Sequence, residues 1–227
     1  MRTTIKNNIA ALKQEIPSSI KIVLACKTRS AEEIESAIDA GITDIGQNYV
    51  QEAETMRQAL GEKARKVRWH MIGHVQKNKI NKILSLFDVI QTVDSFKCAS
   101  EINKRAQVME KVMPVYLEIN IADEPNKAGI KPDISVIEAL IHDMSKLPFL
   151  KLEGLMTMGP LTDDSQAIRP YFKKMNAIFN DVKRISYPNV DIRELSMGMS
   201  DSYLTAIEEG ATIIRPGTII FGKRQYT

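Results

Sequence analysis

Cysteine is scarce in this sequence: Cys26 and Cys98 are the only two among 227 residues. Neither belongs to a Cys-x-x-Cys or Cys-x-x-His spacing, which argues against a disulfide framework and a zinc knuckle. The chain reads as a protein of a reducing compartment, the cytoplasm. Long apolar runs are also missing. No segment approaches the roughly 18 uninterrupted apolar residues of a membrane span. Met1 to Lys13 interleaves its apolar residues with Arg2, Lys6, Asn7 and Asn8, where an export signal needs a continuous apolar stretch. Aromatics are few, at 6%, and charge of one sign barely exceeds the other, with 31 Lys and Arg against 28 Asp and Glu. The densest basic stretch, Lys63, Arg65, Lys66, Arg68, Lys77, Lys79 and Lys82, therefore reads as solvated helix ends, and no nucleic-acid partner is expected. No segment rich in Gly, Pro or Ser interrupts the chain, so residues 1–227 are expected to form one domain.

What is present is alternation. Short apolar runs rich in β-branched residues recur, each followed by a polar turn and a segment of helical period. Ile20 to Cys26 is the first run, and Ser30-Ala-Glu-Glu33 has the form of a capping box opening a helix that Gly41 closes. Further runs fall at Ile42 to Gly46, Val67 to Ile72, Val89 to Val93, Val115 to Ile121, Leu152 to Thr157, Ile192 to Ser196 and Thr212 to Ile214. About eight such units in this length predict an α/β fold, a single-domain (β/α)8 TIM barrel with an N-terminal helix. An open doubly wound sheet commonly has five or six strands. In a barrel, chemistry sits where each strand ends, so the residues at which the apolar runs stop are the ones to weigh.

The first run ends in Cys26-Lys-Thr-Arg29. A lysine there is ordinarily a snorkelling surface residue, yet an amine partly desolvated at a barrel mouth favours its neutral form and can condense with an aldehyde. The last two runs end in Ser196-Met-Gly-Met-Ser200 and Arg215-Pro-Gly-Thr218, glycines with hydroxyls at the two strands a barrel uses to hold phosphate. Both are equally readable as ordinary turns, with Met197 and Met199 as core filler. His70 and His74 have the spacing of a metal pair, but Met71 stands where a zinc protease helix needs Glu and Gly73 breaks the helix, so no metal site is expected. His142 falls in an outer helix and has no role.

Taken in order, Ala25-Cys-Lys-Thr28, Gly46-Gln-Asn-Tyr-Val-Gln-Glu52, Trp69-His-Met-Ile-Gly-His-Val-Gln-Lys-Asn-Lys79, Ser196-Met-Gly-Met-Ser-Asp201 and Arg215-Pro-Gly-Thr-Ile-Ile-Phe-Gly222 closely resemble the pyridoxal phosphate homeostasis proteins. These are single-domain relatives of the alanine racemase N-terminal barrel, and the match runs from about Lys21 to Arg224. The resemblance implies pyridoxal 5'-phosphate (PLP) as cofactor, held by Lys27 as a Schiff base. It implies that Ser200, Gly217 and Thr218 bind the phosphate, that Arg215 faces the pyridine nitrogen, and that Asn48 and His70 lie near the ring. Two positions depart from the family. Gln47 stands where Glu is usual, which removes a possible charge partner. Cys26 replaces a small residue, as inert packing or as a thiol able to trap an aldehyde.

The resemblance implies a carrier or buffer of PLP without turnover of its own, a monomer or weak dimer, with PLP-dependent apo-enzymes as possible recipients. An arginine opposite the ring nitrogen leaves it unprotonated and weakens the electron sink. The alternative is a PLP-dependent racemase-like enzyme. Alanine racemases share that arginine but take a second catalytic base, a tyrosine, from a C-terminal β-domain, and this sequence ends at Thr227. Tyr49 and Tyr203 are the tyrosines beside strand-end motifs. The first is as readable packed against the barrel as inside its mouth, and the second has no evident partner to lower its pKa.

Overall fold

The computed structural model describes residues 2–160, 162 and 164–223, so Arg224 and Thr227 lie outside the described residues. Eight parallel strands close into a barrel in sequence order: β1 (Lys21–Ala25), β2 (Asp44–Gln47), β3 (Arg68–Met71), β4 (Val89–Val93), β5 (Met113–Glu118), β6 (Leu150–Met156), β7 (Val190–Ser196) and β8 (Ile213–Ile214). Nine α-helices lie among the described residues: α1 (Arg2–Glu15) before β1, then α2 (Ala31–Asp39), α3 (Val50–Leu60), α4 (Ile80–Leu86), α5 (Phe96–Val108), α6 (Ile134–Met144), α7 (Ser165–Val182), α8 (Tyr203–Glu208) and the short α9 (Thr218–Phe221) after successive strands. The barrel and the N-terminal helix expected from the alternation are both present.

Local chemistry explains the boundaries. Ser30 accepts from the Glu33 N–H while Glu33 reaches back to the Ser30 N–H, the capping box read from sequence. Asp133 and Asp164 cap α6 and α7 in the same manner, by accepting from the first helical N–H groups. Gly41 closes α2 with φ +82°, a left-handed value that suits glycine. Three strands begin earlier than the β-branched runs do. β7 starts at Val190, and β5 starts at Met113 and β6 at Leu150 because their register against each other runs from Met113↔Leu150 to Glu118↔Met156.

Packing divides into two layers, as period-2 strands in a closed barrel require. Val23, Val89, Tyr116, Met156 and Ile213 form a small cluster of their own inside the barrel. Residues of opposite parity, such as Leu24, Ile45, Trp69 and Ile90, join the larger cluster between barrel and helices. Helix α1 buries Ile5, Ile9 and Leu12 and is tied to the last helix by Asn8, whose Nδ2 donates to the Ile220 carbonyl at 2.9 Å. No helix among the described residues is long and apolar enough to cross a membrane.

Gly73, just past β3, lets two loops of the barrel mouth touch. A Cβ built there would lie 2.1 Å from the Asn48 carbonyl oxygen, while the Gly73 carbonyl accepts from Thr92 Oγ1 at 2.6 Å. Gly73→Ala should therefore force backbone apart and lower stability by about 1–3 kcal/mol. The urea midpoint should fall at unchanged m-value.

Candidate functional site at the barrel mouth

Strands β7, β8 and β1 are neighbours across the closure, and their C-terminal ends carry most of the residues singled out from sequence. Lys27 leaves β1 half-buried, with Nζ 3.4 Å from Tyr49 Oη and 4.9 Å from the centre of its ring. It makes no ion pair among the described residues. The next residue is strained: Thr28 sits at φ +65°, a left-handed conformation costly for a β-branched side chain, of order 1–3 kcal/mol. The Thr28 N–H donates to Glu52 Oε2 at 3.2 Å and its Oγ1 to the Lys27 carbonyl at 2.6 Å. That strain is the kind stored where a side chain must be aimed.

Opposite Lys27, the loops after β7 and β8 converge. Ser200 Oγ accepts from the backbone N–H of Gly217 at 3.0 Å and of Ile219 at 3.2 Å. Two main-chain donors thus point at one oxygen. Gly217 runs close under β1, where a Cβ would come within 3.1 Å of the Ala25 carbonyl, and the Ala25 N–H donates to Pro216 O at 2.8 Å. Thr218, exposed, opens α9 beside them. Arg215 is 3% exposed, and burial pushes its guanidinium down to about 10, still cationic at neutral pH. Its Nη1 donates to Ser196 Oγ and its Nη2 to the Thr157 carbonyl, each at 2.7 Å.

The remaining residues fall elsewhere. Asn48 is half-buried and lines a separate hollow of about 80 Å³ with Tyr49, Met71 and His74. His70 lies inside the barrel, 1% exposed, with Nε2 at 2.9 Å from Asp44 Oδ1 and Nδ1 at 2.9 Å from Gln91 Nε2. It reaches the mouth only through other residues, and burial holds its pKa below the ordinary value. His74 is exposed and faces Asp94, so the two histidines diverge. Gln47 is buried, its Nε2 donating to the Cys26 carbonyl at 3.3 Å. Cys26 packs in the shell between barrel and helices, its thiol pushed up by burial, which is the inert reading of the two. Tyr203 turns away to donate to Glu15 Oε2 at 2.7 Å, and burial with that contact pushes it up to about 12. In the basic stretch, Lys63, Arg65, Arg68, Lys77 and Lys82 each meet a carboxylate.

Glu118 escaped the sequence reading. The expected fifth strand ran on to Ile121 and placed Glu118 within it, whereas β5 ends at Glu118 itself. The carboxyl lines a cavity of about 360 Å³ beside Thr157, Met158, Met199 and Lys127. Burial pushes it up to about 7, nearby Asp94 adds to the push, and Arg215 opposes it. A raised carboxyl holds in the folded state a proton that the unfolded chain has released, so stability falls as pH rises from 4.5 to about 7. Glu118→Gln should gain stability relative to the parent protein as pH rises from about 5 to about 8, on the order of 2 kcal/mol. Thermal melts of both proteins across that range check it, and a constant difference would contradict it.

The family described as the alanine racemase N-terminal domain matches residues 2–225. The pyridoxal phosphate homeostasis protein of Pasteurella multocida is 36% identical over 234 residues, covering 99% of this chain and 99% of the relative. Its counterpart in Escherichia coli strain K12 is 34% identical over 238 residues, covering 98% of each. Among solved structures, PipY of Synechococcus elongatus with PLP bound is similar at a TM-score of 0.87 and 30% identity, over 96% of this chain and 100% of that one. Alanine racemase of Clostridium difficile shares the fold, with a TM-score of 0.80 at 17% identity, and this chain spans 58% of its length. By full-length similarity, the chain belongs to the pyridoxal phosphate homeostasis protein family, built on the barrel of the alanine racemase N-terminal domain.

Proposed function

We propose that this protein binds pyridoxal 5'-phosphate at the barrel mouth, covalently on Lys27, and serves PLP homeostasis as a carrier or buffer of the cofactor without turnover of its own. The observation that carries the reading is the convergence of three unlike groups on neighbouring strands. They are a lysine without an ion pair among the described residues, two backbone N–H groups aimed at one oxygen, and a buried arginine. The cradle suits a phosphate, since the two N–H groups that Ser200 Oγ accepts from can donate equally to an anionic oxygen. When bound, PLP supplies an aldehyde for the amine and a ring that can act as an electron sink.

The residues divide the work by position. Lys27 Nζ is the attachment point, with Thr28 and Glu52 holding the turn that aims it. Ser200, Gly217 and Thr218 bind and orient the phosphate. Arg215 meets the ring nitrogen as a donor, and a permanent cation there keeps a proton off that atom. Asn48 and His70 contribute from further off. Full-length similarity to proteins named for PLP homeostasis supports the carrier role, and PLP-dependent apo-enzymes are the recipients its chemistry suits, with the protein acting as a monomer or weak dimer. Lys27→Ala should lose covalent attachment and keep its fold, the side chain lying at the mouth and outside the packed layers. Borohydride reduction followed by mass spectrometry reads this directly, and a modified lysine other than Lys27 would displace the assignment.

One observation favours a second reading, a racemase-like enzyme: Tyr49 Oη stands 3.4 Å from Lys27 Nζ. Proton removal from one face and delivery to the other need two groups within hydrogen-bond reach of their targets. Tyr49 and Lys27 share one corner of the mouth, and Tyr203 is committed to Glu15. Deuterium incorporation at Cα of alanine or serine in heavy water should stay at the rate of free PLP. Exchange well above that rate, lost in Lys27→Ala, would replace the carrier by an enzyme.

A further inference from the structure

Beneath the mouth, five polar side chains form one continuous hydrogen-bonded chain through the barrel interior. Arg215 Nη1 donates to Ser196 Oγ at 2.7 Å, and Ser196 Oγ donates to Gln91 Oε1 at 2.7 Å. Gln91 Nε2 meets His70 Nδ1 at 2.9 Å, and His70 Nε2 meets Asp44 Oδ1 at 2.9 Å. Gln91 and Ser196 are wholly buried, and His70 and Arg215 nearly so. The chain enters at the first residue of β2, climbs through β3 and β4, crosses to the last residue of β7 and ends just past β8.

Both ends dictate its direction. A guanidinium can only donate. At the other end burial works to raise the Asp44 carboxyl, but the hydrogen bonds from His70 and Thr43, together with nearby positive charge that includes Arg68, bring it below the ordinary value, so it stays ionised and can only accept. Every link between them then has one arrangement. Ser196 spends its lone pair on Arg215 and its proton on Gln91, and Gln91 turns its NH2 toward His70. His70 must keep Nδ1 bare and carry its proton on Nε2, toward Asp44. A second proton on Nδ1 would face the Gln91 amide protons. Donors aligned head to tail polarise one another in a low-dielectric interior.

We propose that this relay, with Gln91 as its central link, is the positioning device for Arg215. It holds the guanidinium in one orientation toward the ligand and conveys the Asp44 charge across the barrel to it. The proposal deepens the cofactor reading above, in which Arg215 faces the ring nitrogen of PLP. Gln91 and His70 touch no ligand in this scheme; they act through Ser196 and Arg215. Gln91 is a suitable link because its amide offers an acceptor to one neighbour and donors to the other, which neither an ionised Glu nor an apolar residue of its length can do.

The test reads the cofactor's own signature. In PLP-loaded protein, Gln91→Met should shift the visible absorption and emission of the bound cofactor and weaken PLP binding about tenfold. Asp44→Asn should shift the same spectrum in the parent protein and have no further effect in the Gln91→Met background. An unchanged spectrum with only a lower melting temperature would overturn the proposal, leaving the chain as core polar packing. Should Gln91→Met not fold, Ser196→Ala cuts the same chain with a smaller change and carries the same expectations. An arm independent of PLP uses the apo-protein: ¹⁵N NMR of the imidazole should show His70 as the single Nε2–H tautomer, with resonances that move in Ser196→Ala. An Nδ1–H tautomer, or resonances indifferent to Ser196→Ala, would sink the relay. Parent protein that takes up no PLP while this NMR result holds would remove the cofactor reading and leave the relay to Arg215 standing.

Discussion

Closure of the sheet at the seam between β8 and β1 is the constraint on which the mouth depends. β8 is only two residues long, pairing Ile213 with Lys21 and Ile214 with Ile22, and meeting β7 at Ser196↔Ile213. The seam is extended by loop backbone, with the Lys21 N–H donating to Thr212 O and the Ala25 N–H to Pro216 O. Those bonds draw the loop bearing Arg215 and Gly217 against the strand bearing Lys27. Helix α1 covers the seam from outside, through Asn8 to Ile220 of α9 and Glu15 to Tyr203. The N-terminal helix is thus part of what keeps the mouth assembled, though it contributes no group to it.

The interior of this barrel is unusually polar for a packed core, and the polarity is organised by height. Near the floor, Glu194 pairs with Lys21 and accepts from Thr212, and Glu153 is met by Arg68, Lys151 and Arg193. Each buried carboxylate there has a cation at hand, as burial of charge requires. The middle holds the neutral links His70, Gln91 and Ser196. At the top, Arg215 lies within the field of Glu118 without touching it, and the two shift each other's ionisation. Among the described residues, Arg215 hydrogen-bonds to two neutral oxygens and one sulfur, which leaves it charge to offer an anionic or lone-pair ligand. That local positive charge stands at the mouth even though the chain as a whole is nearly neutral.

How the site was and was not legible follows from the range of each signal. Lys27, Ser200, Gly217 and Thr218 stood out because each lies at the end of an apolar run, and the structure brings those four to one face. Arg215 was visible as a residue, but not its burial or its partners, which come from the end of β7 and the residues just past β6. Glu118 was hidden by a boundary. The apolar run continues through Ile119 and Ile121, whereas the ladder stops at Glu118 and Ile119 bridges instead to Ile130. The alternation of β5 itself is unbroken, and the register shift at Val115 and Tyr116 places its extra residue, Glu153, in β6.

The sequence by itself determined the order and kind of the elements, the capping of the helices, and the family to which the strand-end motifs point. These rest on residues adjacent in the chain, where spacing and side-chain type carry the physics. Only the tertiary structure decided that Tyr49 turns to Lys27 while Tyr203 turns to Glu15, that Cys26 faces the helices, and that His70 hangs below the mouth in a chain from Asp44 to Arg215. Each of those outcomes depends on which strand lies opposite across a closed barrel and on where a ladder is shifted by one residue. Neither quantity is written in any single stretch of sequence.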